Sequence, residues 1–211
     1  MNKEFLDKIM SDPDMLQMGH NQSVEDRNLG MGWIYYSLAR LYKPKLVVCI
    51  GSWRGFVPIL IAKGIQDNSN NGQVIFIDPS LVDDFWKDDV KVSEYFNSWR
   101  LNNIIHYGMT TQEFKESDVY KNLGEIDILF VDGLHTYEQA KFDYETFESK
   151  LSSNSVSLFH DSIESYESDI YGDNNKYKYS VNQYMTELKN SGFQVFGIPF
   201  QFGLSLVRKI K

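Results

Sequence analysis

The sequence has a single cysteine and fewer basic than acidic residues, 21 against 29, and each of these features argues against a class of protein. Its single cysteine, Cys49, permits no internal disulfide among the 211 residues. Cys49 stands in a predicted buried strand, which favours a packing role over a nucleophilic one. The formal net charge of −8 argues against a surface that follows the phosphates of a nucleic acid. A small molecule is therefore the expected partner.

Long apolar runs are also missing. No run approaches the ~18 apolar residues of a membrane-spanning helix, and the N-terminus MNKEFLDKIM lacks the apolar core of a secretory signal peptide. We therefore expect a cytoplasmic protein with no membrane partner. Hydrophobic residues make up 42% of the chain, enough for a packed core. Residues 1–43 are predicted to form an N-terminal helical cap segment, and residues 44–211 the main part of a single globular domain.

Short apolar runs alternate with helical patterns along most of the chain. Strands are predicted at Leu46 to Ile50, Val74 to Ile77, Ile104 to Tyr107, Ile126 to Val131, Val156 to Phe159, Gln194 to Ile198 and Leu204 to Arg208. Helices are predicted at Leu29 to Leu41, Val57 to Lys63, Asp84 to Trp99, Thr111 to Tyr120, Thr136 to Leu151 and Val181 to Asn190. Such alternation indicates a parallel sheet with helices on both faces.

The end of the chain departs from that alternation. Only the residues from Pro199 to Gly203 separate the last two strands, too few for a parallel crossover, so these strands should be antiparallel neighbours. The predicted fold class is therefore α/β, with a Rossmann-like, seven-stranded, doubly wound sheet that is mainly parallel and ends in an antiparallel hairpin.

The first strand runs into a glycine turn, Gly51-Ser52-Trp53-Arg54-Gly55, ahead of a predicted helix. Glycine allows close backbone approach and a helix N-terminus presents unpaired N–H groups, so nucleotide-like cofactors dock at such units. Asp78 ends the second strand, 27 positions after Gly51, where a carboxylate can accept hydrogen bonds from both ribose hydroxyls. The structural alternative is that Asp78 caps the turn before Pro79.

Acidic and imidazole side chains gather where the fourth and fifth strands should end. Asp132 follows the fourth strand, His135 comes three residues later, and His160 and Asp161 close the fifth strand. Because the carboxyl ends of parallel strands meet at one edge of an open sheet, where ligands bind, these side chains are expected to converge.

The string Asp132-Gly133-Leu134-His135-Thr136-Tyr137, with Asp143 on the next helix and His160-Asp161 after the fifth strand, resembles the class I S-adenosylmethionine-dependent methyltransferases. Within them it is similar to a small bacterial group related to the catechol and caffeoyl-coenzyme A O-methyltransferases and to macrocin-type sugar O-methyltransferases. The resemblance covers roughly Pro44 to Arg208. Many relatives have a glutamate two residues before the first glycine, where this chain has Cys49.

The resemblance implies a site for S-adenosylmethionine. The residues implied in binding it are Gly51, Ser52, Gly55, Asp78, Pro79, Met109, Thr110 and Asp132. The first three would line the methionine part, Asp78 would bind the ribose, and Pro79 with the loop holding Met109 would border the adenine. Asp132 has three open roles: to contact the amino group of the methionine part, to bind a metal, or to terminate a strand.

A divalent metal (Mg, Mn or another) is the second candidate cofactor. In the metal-dependent relatives, a residue matching Asp132 and an acidic or Asp-Asn pair after the fifth strand hold an ion that lowers the pKa of the acceptor hydroxyl. Here Asp132 and Asp161 match, and His160 replaces an oxygen ligand; imidazole suits manganese, iron or zinc better than magnesium. The alternative is that His160 is hydrogen-bonded at the strand end and Asp161 caps a helix before Ser162.

Methyl transfer is an in-line displacement, so the protein must chiefly align the acceptor and remove its proton. His135 is the candidate base, with Asp132 beside it in the catalytic set; alternatively His135 orients its loop by bonding a backbone carbonyl. The segment from Met18 to Gln22 and the tyrosine-rich insertion from Tyr166 to Tyr179 are expected to border the acceptor, the insertion as a lid loop.

The expected function is S-adenosylmethionine-dependent O-methyl transfer to a small polar or sugar-like acceptor, with metal assistance as an option. One rival is an NAD- or nucleotide-binding oxidoreductase, which the absence of Gly-x-Gly-x-x-Gly and the terminal hairpin disfavour. The other is a non-catalytic methyltransferase-like binding domain. The oligomeric state stays open, with a homo-oligomer among the options.

Overall fold

The computed structural model describes residues 1–16, 18–169 and 176–209. The strands in these ranges are β1 (Leu46–Ile50), β2 (Gln73–Ile77), β3 (Ile104–Tyr107), β4 (Ile126–Val131), β5 (Leu151–His160), β6 (Tyr166–Ser168), β7 (Tyr177–Tyr179), β8 (Phe193–Ile198) and β9 (Leu204–Lys209). The helices are α1 (Lys3–Ser11), α2 (Pro13–Leu16), α3 (Gly32–Tyr42), α4 (Phe56–Asp67), α5 (Asp89–Ser98), α6 (Thr111–Glu116), α7 (Asp118–Lys121), α8 (Tyr137–Glu148) and α9 (Val181–Asn190). None of these helices is both long and apolar enough to cross a bilayer.

A mixed sheet of seven strands organises the molecule, in the order β3-β2-β1-β4-β5-β9-β8. Strands β1 to β5 pair in parallel, whereas β9 is antiparallel to both β5 and β8. The predicted α/β fold with a terminal antiparallel hairpin is therefore confirmed. The chain moves outward from β1 through β2 to β3 and then returns to β4 on the other side, so a ligand crevice is expected beside β1 and β4.

The central strand β1 is apolar because both of its faces are covered. Cys49 is fully buried and pairs in register with Phe76 on one side and Phe130 on the other. Burial raises the pKa of the Cys49 thiol well above its ordinary value. The packing role predicted for this cysteine agrees with its position, since a buried protonated thiol is a poor nucleophile.

Helices of the N-terminal segment share the core of the sheet. Phe5 and Ile9 on α1, together with Leu29 ahead of α3, belong to the same cluster of buried residues as Val47 of β1 and Phe56 of α4. The N-terminal segment therefore covers one face of the sheet instead of forming a separate layer.

Five of the six predicted helices have different bounds in the structure, and side-chain capping explains the differences in two of them. The helix predicted from Asp84 begins only at Asp89, because the Asp88 side chain accepts the N–H groups of Val90 and Lys91 and so caps α5 there. The helix predicted from Thr111 to Tyr120 is divided at Ser117, whose extended backbone ends α6 and whose hydroxyl caps α7. Side-chain capping decides both boundaries.

The tyrosine-rich insertion is more regular than the lid loop expected from the sequence. Its two described ends, β6 and β7, form an antiparallel hairpin in which Tyr166 pairs with Tyr179. The middle of the insertion, residues 170–175, lies outside the described residues. No helix begins at Ser162, so the alternative role of Asp161 as a helix cap is wrong; Asp161 instead has a φ of 49° in a tight bend after β5.

Gly51 is the point where β1, β2 and β4 meet. Its N–H donates to the carbonyl of Ile77 at 2.8 Å, and the N–H of Asp132 donates to the carbonyl of Ile50 at 2.8 Å. Gly51 has a φ of 68°, and an added Cβ would lie 2.1 Å from the backbone oxygen of Asp132. Only glycine permits this approach.

We predict that Gly51→Ala lowers the free energy of unfolding by at least about 2 kcal/mol, because the methyl group forces the ends of β1 and β4 apart. Urea unfolding of both proteins checks it. The control is Gly124→Ala, since nothing lies within 4 Å of a Cβ at Gly124. Equal stability of the two variants would contradict the prediction.

Candidate active site

A cavity of about 360 Å³ opens at the carboxyl ends of β1, β2, β4 and β5. This volume lies in the range of small-molecule and cofactor pockets. The predicted site residues that line it are Gly51, Ser52, Asp78, Pro79, Met109, Thr110, Asp132, His135, His160 and Asp161. The topology thus brings together side chains from five separate stretches of the sequence.

Gly55 is the predicted cofactor residue that is not among the described residues lining the cavity. It precedes α4 with a φ of 77°, and an added Cβ would meet the ring of Trp86 at 3.2 Å. The left-handed turn at this position shapes the loop that contacts the cavity, and the glycine itself faces the aromatic core.

The glycine turn is held in shape by its own side chains. The hydroxyl of Ser52 accepts the N–H of Val57 at 3.1 Å, which satisfies a donor in the first turn of α4. The carbonyl of Trp53 accepts the indole N–H of Trp86 at 2.7 Å. Ser52 itself is buried, and its hydroxyl is engaged by this hydrogen bond to α4.

Arg54 is engaged by protein carboxylates. Its guanidinium lies 2.7 Å from Asp83 and 3.4 Å from Asp14, between the rings of Trp53 and Phe85. Burial opposes the charge of Arg54, but Asp83 and Asp14 outweigh it and raise its pKa. Arg54 therefore ties the glycine turn to α2 and to the loop after β2.

Asp78 ends β2 at the mouth of the cavity. Burial raises its pKa to about 6, although the N–H of Ser80, which donates to Oδ1 at 2.8 Å, acts in the opposite direction. The surroundings of Asp78 thus disfavour the ionised form of its carboxyl group. It does take part in a turn, as the structural alternative supposed, and it still lines the cavity.

The loop after β3 offers an apolar wall more than a polar one. The hydroxyl of Thr110 accepts the N–H of Glu113 and donates to its carboxylate in a capping box at the start of α6. Met109 packs against the second buried cluster and lines the cavity. The side chain of Thr110 is therefore committed to its helix, and Met109 is the available surface.

Five side chains form what we call the histidine–aspartate cluster: His20, Asp132, His135, His160 and Asp161. Nδ1 of His160 lies 3.0 Å from Oδ1 of Asp132 and 3.2 Å from Oδ1 of Asp161. Nε2 of His135 lies 3.5 Å from Oδ1 of Asp132. The edge predicted to be reactive is therefore a contiguous set of imidazoles and carboxylates.

The charges of the cluster are mutually dependent. Burial alone would raise the pKa of Asp132, but His160, and then His135, outweigh burial and lower it. Burial likewise opposes the charge of His160, yet Asp132 and Asp161 raise its pKa to about 9. Burial lowers the pKa of His135 against the attraction of the same two carboxylates, so its neutral imidazole is favoured.

The loop that carries His135 is fixed by backbone contacts. The carbonyl of His135 accepts the N–H of Ser180 at 2.8 Å, and the hydroxyl of Ser180 accepts the N–H of Tyr137 at 2.8 Å. The His135 ring stacks on Tyr179, with ring centroids 4.4 Å apart. Among the described residues its ring contacts carboxylates and not a backbone carbonyl, so orienting the loop does not occupy the imidazole.

The rings of Tyr166, Tyr179 and Phe202, which we call the aromatic wall, join the insertion to the cluster. Tyr166 stacks on Phe202 with centroids 3.7 Å apart and lies 4.1 Å from the ring of Tyr179. The hydroxyl of Tyr166 donates to Oδ2 of Asp161 at 2.6 Å. The density of tyrosines pointed to the insertion, but nothing in the sequence indicated Phe202 or the bond to Asp161.

No sequence motif indicated His20 as a member of the cluster or Gln201 as its neighbour. Nε2 of His20 lies 3.0 Å from Nε2 of His160, and Nδ1 of His20 contacts the side-chain oxygen of Gln201. The sequence placed His20 only within the segment expected to border the acceptor. Met18, from the same segment, lines the cavity.

Asp143, part of the sequence motif, lines the cavity next to Gly133. It is fully buried and accepts the side-chain amide of Gln139 at 2.7 Å. Burial raises its pKa to about 6 against the effect of hydrogen bonds from Thr111 and Gln139. Asp143 closes the floor of the cavity beneath Gly133.

Solved structures share this fold at low sequence identity. The SAH-bound methyltransferase PaMTH1 of Podospora anserina is 17% identical, with a TM-score of 0.67 over 99% of this chain and 87% of that chain. The O-methyltransferase TomG of Streptomyces achromogenes, in complex with SAM, is 14% identical, with a TM-score of 0.63 over 100% and 92%. An O-methyltransferase from Bacillus cereus in complex with SAH is 14% identical, with a TM-score of 0.63 over 99% and 92%.

These similarities establish the fold of the chain, and a match to a family model establishes its family. No curated protein is significantly similar to this sequence. The model of a methyltransferase-domain family matches residues 48–162, more than half of the 211 residues, from β1 to the bend after β5. The resemblance expected from the sequence is thereby confirmed, and the chain belongs to this methyltransferase-domain family.

Proposed function

We propose that this protein transfers a methyl group from S-adenosylmethionine to a hydroxyl oxygen of a small polar or sugar-like acceptor. The observation that carries the proposal is one cavity that runs from Gly51 and Asp78 to Asp132 and His135. The residues proposed to bind the cofactor and the residue proposed to accept the proton thus line a single cavity. Similar structures that are named O-methyltransferases and were solved with SAM or SAH support the choice.

The chain's own residues suit the cofactor. Gly51, Ser52 and Asp132 line the cavity together, because Gly51 lets the backbones of β1 and β4 approach closely, and they would contact the methionine part. Asp78 would accept the ribose hydroxyls, and Pro79 and Met109 would border the adenine. Bound S-adenosylmethionine supplies an electrophilic methyl group on sulfur.

His135 would act as the base. As the acceptor oxygen bonds to the methyl carbon and the carbon–sulfur electron pair moves to sulfur, the hydroxyl proton passes to the imidazole of His135. Asp132, 3.5 Å from Nε2 of His135, would stabilise the imidazolium that forms. The aromatic wall beside His135 would exclude water from the acceptor.

A divalent ion held by Asp132, His160 and Asp161 would supply a second means of activating the acceptor hydroxyl. The geometry supports it: Nδ1 of His160 lies 3.0 Å from Oδ1 of Asp132 and 3.2 Å from Oδ1 of Asp161, so one imidazole nitrogen and two carboxylate oxygens converge. Imidazole and carboxylate groups are ligands that a transition-metal ion accepts.

Calorimetry with three ligands tests the cofactor class. We expect S-adenosylmethionine and S-adenosylhomocysteine to bind and NAD to give no heat, because Asp78 lines the cavity but the glycine turn lacks the Gly-x-Gly-x-x-Gly pattern that holds a pyrophosphate. NAD binding without S-adenosylhomocysteine binding would overturn the proposal in favour of an oxidoreductase. Binding of S-adenosylhomocysteine without labelled-methyl transfer to any hydroxyl acceptor would indicate a binding domain.

Asp78 gives the binding a defined pH dependence. Burial disfavours the ionised form of Asp78, whereas hydrogen bonds from ribose hydroxyls would stabilise it. The affinity for S-adenosylhomocysteine should therefore fall as the pH drops through about 6 and Asp78 becomes protonated. Asp78→Asn should bind at least about tenfold more weakly at pH 8 and lose this part of the pH dependence. Calorimetry from pH 5 to pH 8 measures both, and matching profiles for the two proteins would exclude the ribose role.

His135→Ala separates chemistry from binding. We expect the affinity for S-adenosylhomocysteine to stay within about twofold while methyl transfer falls on the order of 10²-fold or more. The control is His106→Gln, because His106 lies on β3 outside the residues that line the cavity. Unchanged transfer of labelled methyl by His135→Ala would remove the base from the proposal.

A further inference from the structure

His20 is held over the cluster by a tightly turned loop. His20 and Asn21 have φ values of 44° and 52°, a region that residues other than glycine seldom adopt. The N–H of Met31 donates to the carbonyl of Gly19 at 2.6 Å, and a Cβ at Gly30 would lie 1.7 Å from the carbonyl oxygen of His20. The loop from Gly19 to Met31 therefore fixes the backbone of His20 at some conformational cost.

The position of His20 is that of a metal ligand. One donor atom each from His20, His160 and Asp161 lie within 4.8 Å of one another. Metal bonds of about 2.0–2.2 Å place neighbouring ligand atoms of a tetrahedron about 3.3–3.6 Å apart, so small shifts would bring this set onto one ion. Asp132 and His135 form a second such set that shares His160.

Two further observations point to a cation between these residues. Asp161 is 6% exposed; Tyr166 donates to its Oδ2, and its Oδ1 lies 3.2 Å from Nδ1 of His160, so the buried carboxylate faces the imidazoles. The outer nitrogen of the His20 ring, Nδ1, contacts the side-chain oxygen of Gln201. Ligating histidines almost always donate their other N–H to such an oxygen, which leaves Nε2 free to bind.

We propose that His20 is a ligand, through Nε2, of a divalent ion that His160 and Asp161 also bind. Two imidazoles with a carboxylate select an ion of the zinc, manganese, iron or cobalt type over magnesium or calcium, which prefer oxygen donors. The ion fastens the loop from Gly19 to Met31 to the carboxyl edge of the sheet. The inference rests on the metal site of the proposed function and not on methyl transfer.

Cobalt(II) titration of the full, EDTA-treated chain tests the ligand set, because coordination by imidazole gives visible absorption bands. We expect the wild-type protein to bind cobalt with these bands and to show no comparable affinity for magnesium. His20→Ala should bind cobalt at least tenfold more weakly with an altered spectrum, and Gln201→Ala should lose about tenfold through its effect on His20. The control His106→Gln should match the wild-type protein.

Hydrogen exchange tests the fastening of the loop. Cobalt should slow exchange in residues 18–31 of the wild-type protein and leave this region of His20→Ala unchanged. Equal cobalt affinity and spectra for wild type and His20→Ala would overturn the proposal, as would tighter binding of magnesium than of cobalt. If the wild-type protein binds S-adenosylhomocysteine but no metal ion, the metal inference fails and the methyltransferase proposal stands. If it binds cobalt but not S-adenosylhomocysteine, the methyltransferase proposal fails and the metal inference stands.

Discussion

The contact between the ends of β1 and β4 is the constraint on which the site depends. Gly51 approaches the backbone of Asp132 so closely that no side chain fits between them, and hydrogen bonds from Gly51 and Asp132 tie both strands and β2 together. It sets Asp132 beside the glycine turn, so that the turn and the histidine–aspartate cluster border the same cavity.

The cluster concentrates charge in a buried place, and that determines its chemistry. Two carboxylates and three imidazoles lie within contact distance, and Asp132 and Asp161 raise the pKa of His160, which favours its charged form. An imidazolium at this place balances the charge of the carboxylates. A metal would take over that balance, freeing the imidazole to act as a ligand. The same geometry suits both the proposed proton-accepting histidine and the proposed metal site, to which the N-terminal loop would contribute His20.

Much of the fold was predictable because its signals are local and periodic. Apolar β-branched runs such as Val47 to Ile50 must be buried on both faces, and the short link at Pro199 to Gly203 permits only an antiparallel pair. The helix start at Asp89 was missed because the capping side chain of Asp88 decides it. Asp132 and His160 converged as expected from strand ends, whereas His20 lies 140 positions from its partner, with no spacing to reveal the contact.

On this interpretation of the structure, the glycine turn and the histidine–aspartate cluster bind parts of one ligand. A crystal structure with S-adenosylhomocysteine tests this most directly. We expect the ribose hydroxyls within hydrogen-bond distance of the Asp78 carboxylate, the amino acid part against Gly51, and the sulfur on the side of the cavity that holds His135. Density for the adenosyl group away from Asp78, or a sulfur directed away from the histidine–aspartate cluster, would contradict the account.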